Sequence, residues 1–221
     1  QLGSTLQIGR YNIAYVAYDL SGNTDTCSFF LNVIDSEMPL LICPPSLTVG
    51  NDPGLCAWKS PAYSLSPLLA QSNCPYLLTW EVTNPDGTLG KGEKDVSGYL
   101  FQTGRSVVRY ILKENASGQT VECTFSVTVT DKEPPVVFCP GTLTQETVNG
   151  KCDAEIELKL PGYADACNSP VKITYTVVNP DNAVRGPYPS TALKYLFQSG
   201  ISRVIWSLTD GSGNKAECIQ E

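Results

Sequence analysis

Phe101-Gln-Thr-Gly104, followed further on by Cys123-Thr-Phe-Ser-Val-Thr-Val-Thr-Asp131, is the stretch that decides how this chain is read. The first motif recurs as Phe197-Gln-Ser-Gly200 ahead of Cys218, and as Leu6-Gln-Ile-Gly9 ahead of Cys27. Cys27, Cys123 and Cys218 therefore stand 96 and 95 residues apart. The other cysteines recur at close to that interval: Cys43 and Cys56 map onto Cys139 and Cys152, 96 residues on, and Cys74 onto Cys167, 93 residues on. Asn84-Pro-Asp86 likewise maps onto Asn179-Pro-Asp181. Self-similarity at a fixed period is the mark of tandem repeats. The chain divides into residues 1–35, the last hairpin of one module; 36–131, a complete module; and 132–221, a nearly complete one that stops inside its last strand. Each junction, Asp35-Ser-Glu-Met-Pro39 and Asp131-Lys-Glu-Pro-Pro135, is short and carries proline, which fixes φ. The expected arrangement is a semi-rigid, elongated rod.

Within a module, short β-favouring stretches alternate with Gly, Pro, Asn and Asp clusters, and no useful helical periodicity occurs, so the expected class is all-β, with immunoglobulin-like sandwiches. The clearest strand pair joins Ser106–Lys113 to Val121–Thr130; its relatives join Tyr11–Tyr18 to Cys27–Ile34, and Ser202–Thr209 to the residues from Ala216 onward. Side chains alternate across a strand. Val108, Tyr110 and Leu112 therefore share one face, as do Ile13, Tyr15 and Ala17, and Val204, Trp206 and Leu208, and these are the expected core faces. Ser21-Gly-Asn23 and Ser212-Gly-Asn214 suit hairpin tips, because these residues tolerate positive φ. The middle tip, Glu114-Asn-Ala-Ser-Gly118, is one residue longer. Trp80 and its counterpart Tyr175 are expected to pack between sheets.

Composition bounds the chemistry. Apolar residues make up 42% of the chain, with three Trp, eleven Tyr and six Phe, enough for packed cores. Fifteen basic residues against twenty-two acidic ones leave a net charge of −7, which offers no general attraction for nucleic acid or anionic lipid. No apolar run approaches the roughly 18 residues of a spanning helix, so no membrane insertion is expected in this segment. With no histidine, the Ser-His-Asp and Cys-His designs have no base, and neither a nucleophile elbow nor a phosphate loop occurs. Acidic residues cluster at turns and junctions, where solvation explains them without a catalytic dyad, and the chain reads as no enzyme. Nine cysteines without a Cys-x-x-Cys motif or a histidine read as disulfides rather than a zinc site, which implies an oxidising compartment.

Calcium is the one cofactor with a candidate ligand set. Asp19, Asn23 and Asp25, with Asp210 and Asn214, place side-chain oxygens at loop spacing, and carboxylates crowd Asp35-Ser-Glu37 and Asp131-Lys-Glu133. Asx turns require the same residues, no closing Glu follows and the middle module lacks the motif, so the expectation is no cofactor. Asn115-Ala-Ser117 is a glycosylation sequon at a hairpin tip, relevant only in a eukaryotic source.

Pro39-Leu-Leu-Ile-Cys-Pro44 and Pro134-Pro-Val-Val-Phe-Cys-Pro140 at module starts resemble the hyalin repeat (HYR), an extracellular module related to fibronectin type III domains. So do Tyr15-Val-Ala-Tyr-Asp-Leu-Ser-Gly-Asn23 and Cys27-Ser-Phe-Phe-Leu-Asn-Val-Ile-Asp35 at a module end. The middle module lacks the family's Asp-x-Ser-Gly-Asn turn, and these units run longer between Asn84 or Asn179 and the Phe-Gln-x-Gly segment. The four-cysteine form is similar to repeats in large surface proteins of gliding, Bacteroidetes-type bacteria, which implies an adhesin filament with gliding motility and type IX secretion. The family's simpler members carry only the first and last cysteines, which implies Cys43–Cys123 and Cys139–Cys218 as pairs. With those taken, the expected inner pairs are Cys56–Cys74 and Cys152–Cys167, while pairings of first with second or third remain open. Cys27 is expected to be unpaired. The resemblance implies a cell-surface spacer and adhesion segment, whose partners are neighbouring repeats and a surface polysaccharide or protein receptor. The alternatives are accessory modules of a secreted enzyme, or a laterally assembling matrix protein.

Overall fold

A computed structural model describes residues 3–221. Among them there is no helix, and every regular element is a strand. The chain opens with a hairpin of β1 (Gly9–Tyr18) and β2 (Thr24–Val33). The next repeat contributes β3 (Leu40–Ile42), β4 (Leu47–Gly50), β5 (Ala57–Lys59), β6 (Leu69–Gln71), β7 (Tyr76–Thr83), β8 (Leu89–Glu93), β9 (Leu100–Gln102), β10 (Gly104–Glu114) and β11 (Thr120–Thr130). The last contributes β12 (Val136–Phe138), β13 (Asp153–Glu157), β14 (Gly162–Ala164), β15 (Lys172–Val178), β16 (Val184–Pro189), β17 (Lys194–Gln198), β18 (Arg203–Thr209) and β19 (Lys215–Gln220).

The repetition seen in the sequence is repeated in the sheets. The larger sheet of the middle repeat has the order β4-β11-β10-β7-β8, and its counterpart in the last repeat has β16-β15-β18-β19. Short pairs β3-β6 and β5-β9 in one, β12-β14 and β13-β17 in the other, supply the second layer of an immunoglobulin-like sandwich. The hairpin tips close as their residues require. Asp19 N–H donates to Asn23 O (3.0 Å) with Gly22 at φ 86°, and Asp210 N–H to Asn214 O (3.1 Å) with Gly213 at φ 89°. In the middle repeat Glu114 N–H spans to Gln119 O (2.9 Å), one residue further, with Gly118 supplying the positive φ.

By packing, the described residues fall into two compact units. One holds the residues up to Leu47, Ser60–Tyr99 and Ser106–Val127; the other holds Thr48–Lys59, Leu100–Arg105 and Thr128–Glu221. In the first, Leu65, Val82, Val96, Val108, Tyr110, Leu112 and Val127 are almost wholly buried. The second is built on Leu158, Tyr175, Val177, Phe197, Val204, Trp206 and Leu208. Alternate positions of β10 and of β18 thus point inward, as the period of two requires.

The equivalent face of β1 is different. Ile13, Tyr15 and Ala17 share a side; Tyr15 is 63% exposed and stacks on Phe29 of the same hairpin (6.2 Å). Among the described residues β1 and β2 form a sheet of two strands. Tyr175 is a core residue, packed on Trp206 (5.2 Å) and donating its hydroxyl to Ala192 O (2.5 Å). Its counterpart Trp80 is only half-buried, edge-on to Tyr99 (5.6 Å), because its indole lies over Gly92 of β8, where a Cβ would overlap the ring.

Asp95 ties the loop after β8 to the first unit's core. Burial pushes its carboxyl up, but hydrogen bonds from Ser66 and Ser97 outweigh that and hold it below its ordinary value of 3.8. A depressed carboxyl contributes stability that is complete above the unfolded value and lost as pH falls through the folded one. We therefore expect the urea midpoint to fall more steeply below about pH 4 in the parent than in Asp95→Asn, with the two curves parallel above about pH 5. Equal slopes on acidification would show that Asp95 contributes nothing of the kind.

Candidate functional site

The cysteines are the residues whose geometry sets what this chain can do. Cys43, just past β3, bonds Cys123 in β11 (Cα–Cα 5.7 Å), and Cys139, just past β12, bonds Cys218 in β19 (5.8 Å). Each bond joins the segment entering a repeat to its last strand. Cys27 is an exposed thiol on β2.

The inner pairs expected from the sequence do not form. Cys56 bonds Cys167 (Cα–Cα 4.7 Å), a cysteine of the following repeat, and Cys74 and Cys152 are free thiols. The reason is strand length. In the last repeat Cys152 O accepts from Ser199 N–H (2.9 Å), next to where β18 begins, while the Cys167 loop meets the far end of β18 through Gly211 N–H to Ser169 Oγ (3.2 Å). The seven residues of β18 span roughly 24 Å, several times the reach of a disulfide. The middle repeat repeats the geometry. Cys56 O accepts from Thr103 N–H (3.2 Å) at the start of β10, and Pro75 O, adjoining Cys74, accepts from Asn115 N–H (3.0 Å) past its end.

In each repeat the second cysteine therefore lies where the chain leaves, and the third where it enters. At the 131–135 junction these two positions meet. Asn51 N–H donates to Thr130 O (3.0 Å), Lys132 N–H to Asn51 Oδ1 (2.9 Å) and Gly54 N–H to both oxygens of Glu133 (2.9 Å each), which draws the Cys56 loop onto the chain entering the last repeat.

Beside Cys167 the carboxylates of Asp131, Asp165 and Asp210 converge, with one oxygen from each within 4.8 Å of the others. Such a triad has the donor chemistry for a hard cation. Of the residues weighed for calcium, Asp210 and Asp131 belong to it, and the Asp210 carboxylate accepts from Ser212 N–H (2.9 Å), Asn214 N–H (2.8 Å) and Asn214 Nδ2 (2.8 Å). The Asn214 amide nitrogen also lies within hydrogen-bond distance of Asp131 O (3.4 Å) and Glu133 O (3.3 Å). Asp19 plays the same Asx-turn part in the first hairpin, accepting from Ser21 N–H, Asn23 N–H and Asn23 Nδ2, and Asp25 accepts from Thr26 N–H. Asp165 lies 34 residues from Asp131 and 45 from Asp210, and nothing in the linear pattern brings it to them.

The corresponding place in the middle repeat is built from Asp35, Ser72, Glu114, Gln119 and Cys74. Glu114 is fully buried and accepts from Ser72 Oγ (2.5 Å) and from Ser117 Oγ. Gln119 Nε2 donates to Asp35 O (2.9 Å). Hydrogen bonds from Glu37 N–H and the Cys74 thiol hold Asp35 below the usual carboxylate range, and the bond to Asp35, with burial, pushes Cys74 up. A protonated thiol is a slow nucleophile. Elsewhere, a cavity of about 340 Å³ in the last repeat is lined by Leu143, Ile156, Leu158, Phe197 and Val204.

Sheets and bonds together define an all-β, disulfide-braced chain of immunoglobulin-like repeats. Residues 1–33 match the HYR domain. Over 98% of its length the chain is similar to hyalin of the sea urchin Strongylocentrotus purpuratus at 25% identity, and to hyalin of Lytechinus variegatus at 22%. Over 60% of its length it is 28% identical to the rat sushi, von Willebrand factor type A, EGF and pentraxin domain-containing protein 1. It spans 16%, 37% and 3% of those proteins respectively. Among solved structures, extracellular cadherin domains 1–5 of protocadherin gamma B2 align over 96% of this chain and 45% of that one, at 11% identity and a TM-score of 0.40. Fibronectin(III)-like modules of Clostridium thermocellum CbhA align over 83% of this chain and 92% of that one, at 14% identity and a TM-score of 0.30. The match over residues 1–33 is to an HYR-type module, and the disulfides fit an extracellular location.

Proposed function

We propose that this chain is a non-catalytic segment of an extracellular adhesion protein, whose repeats act as covalently braced spacers between neighbouring repeats and a surface polysaccharide or protein receptor. One observation carries the reading: in both repeats a disulfide ties the entering segment to the last strand, across separations of 80 and 79 residues. Tension applied along the chain then passes from one strand to the other through sulfur, and the residues between are shielded from it. The similarity to hyalins and to a sushi and pentraxin protein supports an extracellular role. The bacterial gliding lineage and type IX secretion draw no support from these animal relatives.

Pulling single molecules by their two ends tests the spacer role. Each closed loop withholds about 270 Å of contour, at roughly 3.4 Å per extended residue. We expect unfolding with the bonds intact to lack that extension, and a reductant to release all of it only once Cys56–Cys167, which links the two loops, is opened as well. Identical extension with and without reductant would remove the mechanical basis of the proposal.

A further inference from the structure

Cys74 and Cys152 are the third and second cysteines of their repeats, and their equivalents, Cys167 and Cys56, are bonded to each other across a junction. The free pair is held in the same local backbone as the bonded pair. Ser199 N–H donates to Cys152 O (2.9 Å) as Thr103 N–H does to Cys56 O (3.2 Å). Cys74 N–H donates to Ser72 Oγ (3.0 Å) as Cys167 N–H does to Asp165 Oδ1 (2.9 Å). Neither free thiol can reach the other cysteine of its own repeat, for the reason of strand length given above.

We infer that Cys152 and Cys74 are half-sites of a repeat-to-repeat disulfide series, in which the second cysteine of each repeat bonds the third cysteine of the next. Cys152 takes the third-position cysteine of a repeat on its carboxyl side, and Cys74 the second-position cysteine of a repeat on its amino side. The bond forms by exchange with a small-molecule disulfide such as oxidised glutathione. The first thiolate attacks it, releasing one glutathione thiolate and leaving a mixed disulfide; the second thiolate then displaces the other. Two protein thiols lose two protons and two electrons, and the small disulfide is reduced to two thiols. The outer bonds brace each repeat and the inner ones join repeats, so that hydrolysis of a junction peptide would leave the chain connected. The inference rests on the repeat reading of the chain.

The test lengthens the chain by one repeat. Glu221 corresponds to Ser126, so residues 127–221 are appended after Glu221 of the full chain, and the product is refolded with oxidised and reduced glutathione. Alkylation without reduction, followed by non-reducing digestion and mass spectrometry, reads the pairs. In the unextended chain Cys27, Cys74 and Cys152 are expected to be alkylated, and a Cys56–Cys167 peptide recovered. In the extended chain alkylation of the original Cys152 is expected to fall at least tenfold, with a peptide linking it to the added copy of Cys167, while the added copy of Cys152 becomes the free thiol. Recovery of a link between the added copies of Cys152 and Cys167, or an original Cys152 that stays fully alkylated, overturns the inference. If the added copies of Cys139 and Cys218 fail to pair, the repeat reading itself fails. Cys167→Ser in the unextended chain is a second check: Cys56 should become alkylatable, and protection of Cys152 would count against the series.

Discussion

Replacing Cys43 and Cys123 together by alanine is expected to lower the unfolding free energy by about 4.5 kcal/mol, the chain-entropy value for closing 80 residues. Both cysteines are only partly buried, so little packing is lost with the sulfur atoms and the loss is assigned to the unfolded chain, which regains the freedom that the bond removed. A domain of this size is commonly stable by 5–15 kcal/mol, so such a loss brings the middle repeat close to unfolding at ambient temperature. Urea titration followed by tryptophan fluorescence would measure it. A midpoint that moves by less than the equivalent of about 1 kcal/mol would mean that the unfolded chain is already held compact, for instance by the overlapping Cys56–Cys167 loop.

Truncation of Tyr110 ranks beside it. The ring is fully buried and stacks on Phe125 (6.1 Å), while its hydroxyl donates to Leu65 O (3.0 Å) and accepts from Val96 N–H (2.9 Å). These two bonds fasten the segments around Leu65 and Val96 to β10 at positions where no ladder partner exists for them. Burial, ahead of the nearby Asp95 charge, pushes the phenol far above its ordinary range, so it stays protonated and can donate at all working pH values. Tyr110→Ala should cost about 3–5 kcal/mol through the lost ring and the cavity it leaves. Tyr110→Phe keeps the ring and should cost about 1–3 kcal/mol, because a buried N–H and a buried carbonyl lose their partner. The split between the variants is the diagnostic result. If Phe were as costly as Ala, the hydroxyl and not the ring would dominate; if Phe were neutral, water would be reaching Val96 and Leu65.

The sandwich itself was legible because its determinants are local. Alternation in 106–113 and 202–209 places Val108, Tyr110, Leu112 and Val204, Trp206, Leu208 inward whatever lies opposite them. The turn at Ser212-Gly-Asn214 closes on its own backbone and on Asp210. Burial was less legible where it depends on a second layer. Trp80 differs from Tyr175 because β8 offers glycines where its ring falls. The carboxylate triad combines Asp131 and Asp210, which lie at a junction and a turn, with Asp165, which no spacing connects to them.

The amino-acid sequence by itself determined the period, the strand faces, the hairpin tips and the oxidising chemistry of the cysteines, since each follows from a residue and its near neighbours. Which inner cysteine meets which was decided only by the tertiary structure. Spacing along the chain suggests the nearest partner, Cys74 for Cys56 and Cys167 for Cys152. A strand rises about 3.4 Å per residue, so β10 and β18 carry those nominal neighbours to opposite ends of their repeats. The junction at 131–135, by contrast, brings Cys56 within bonding distance of a residue 111 positions away.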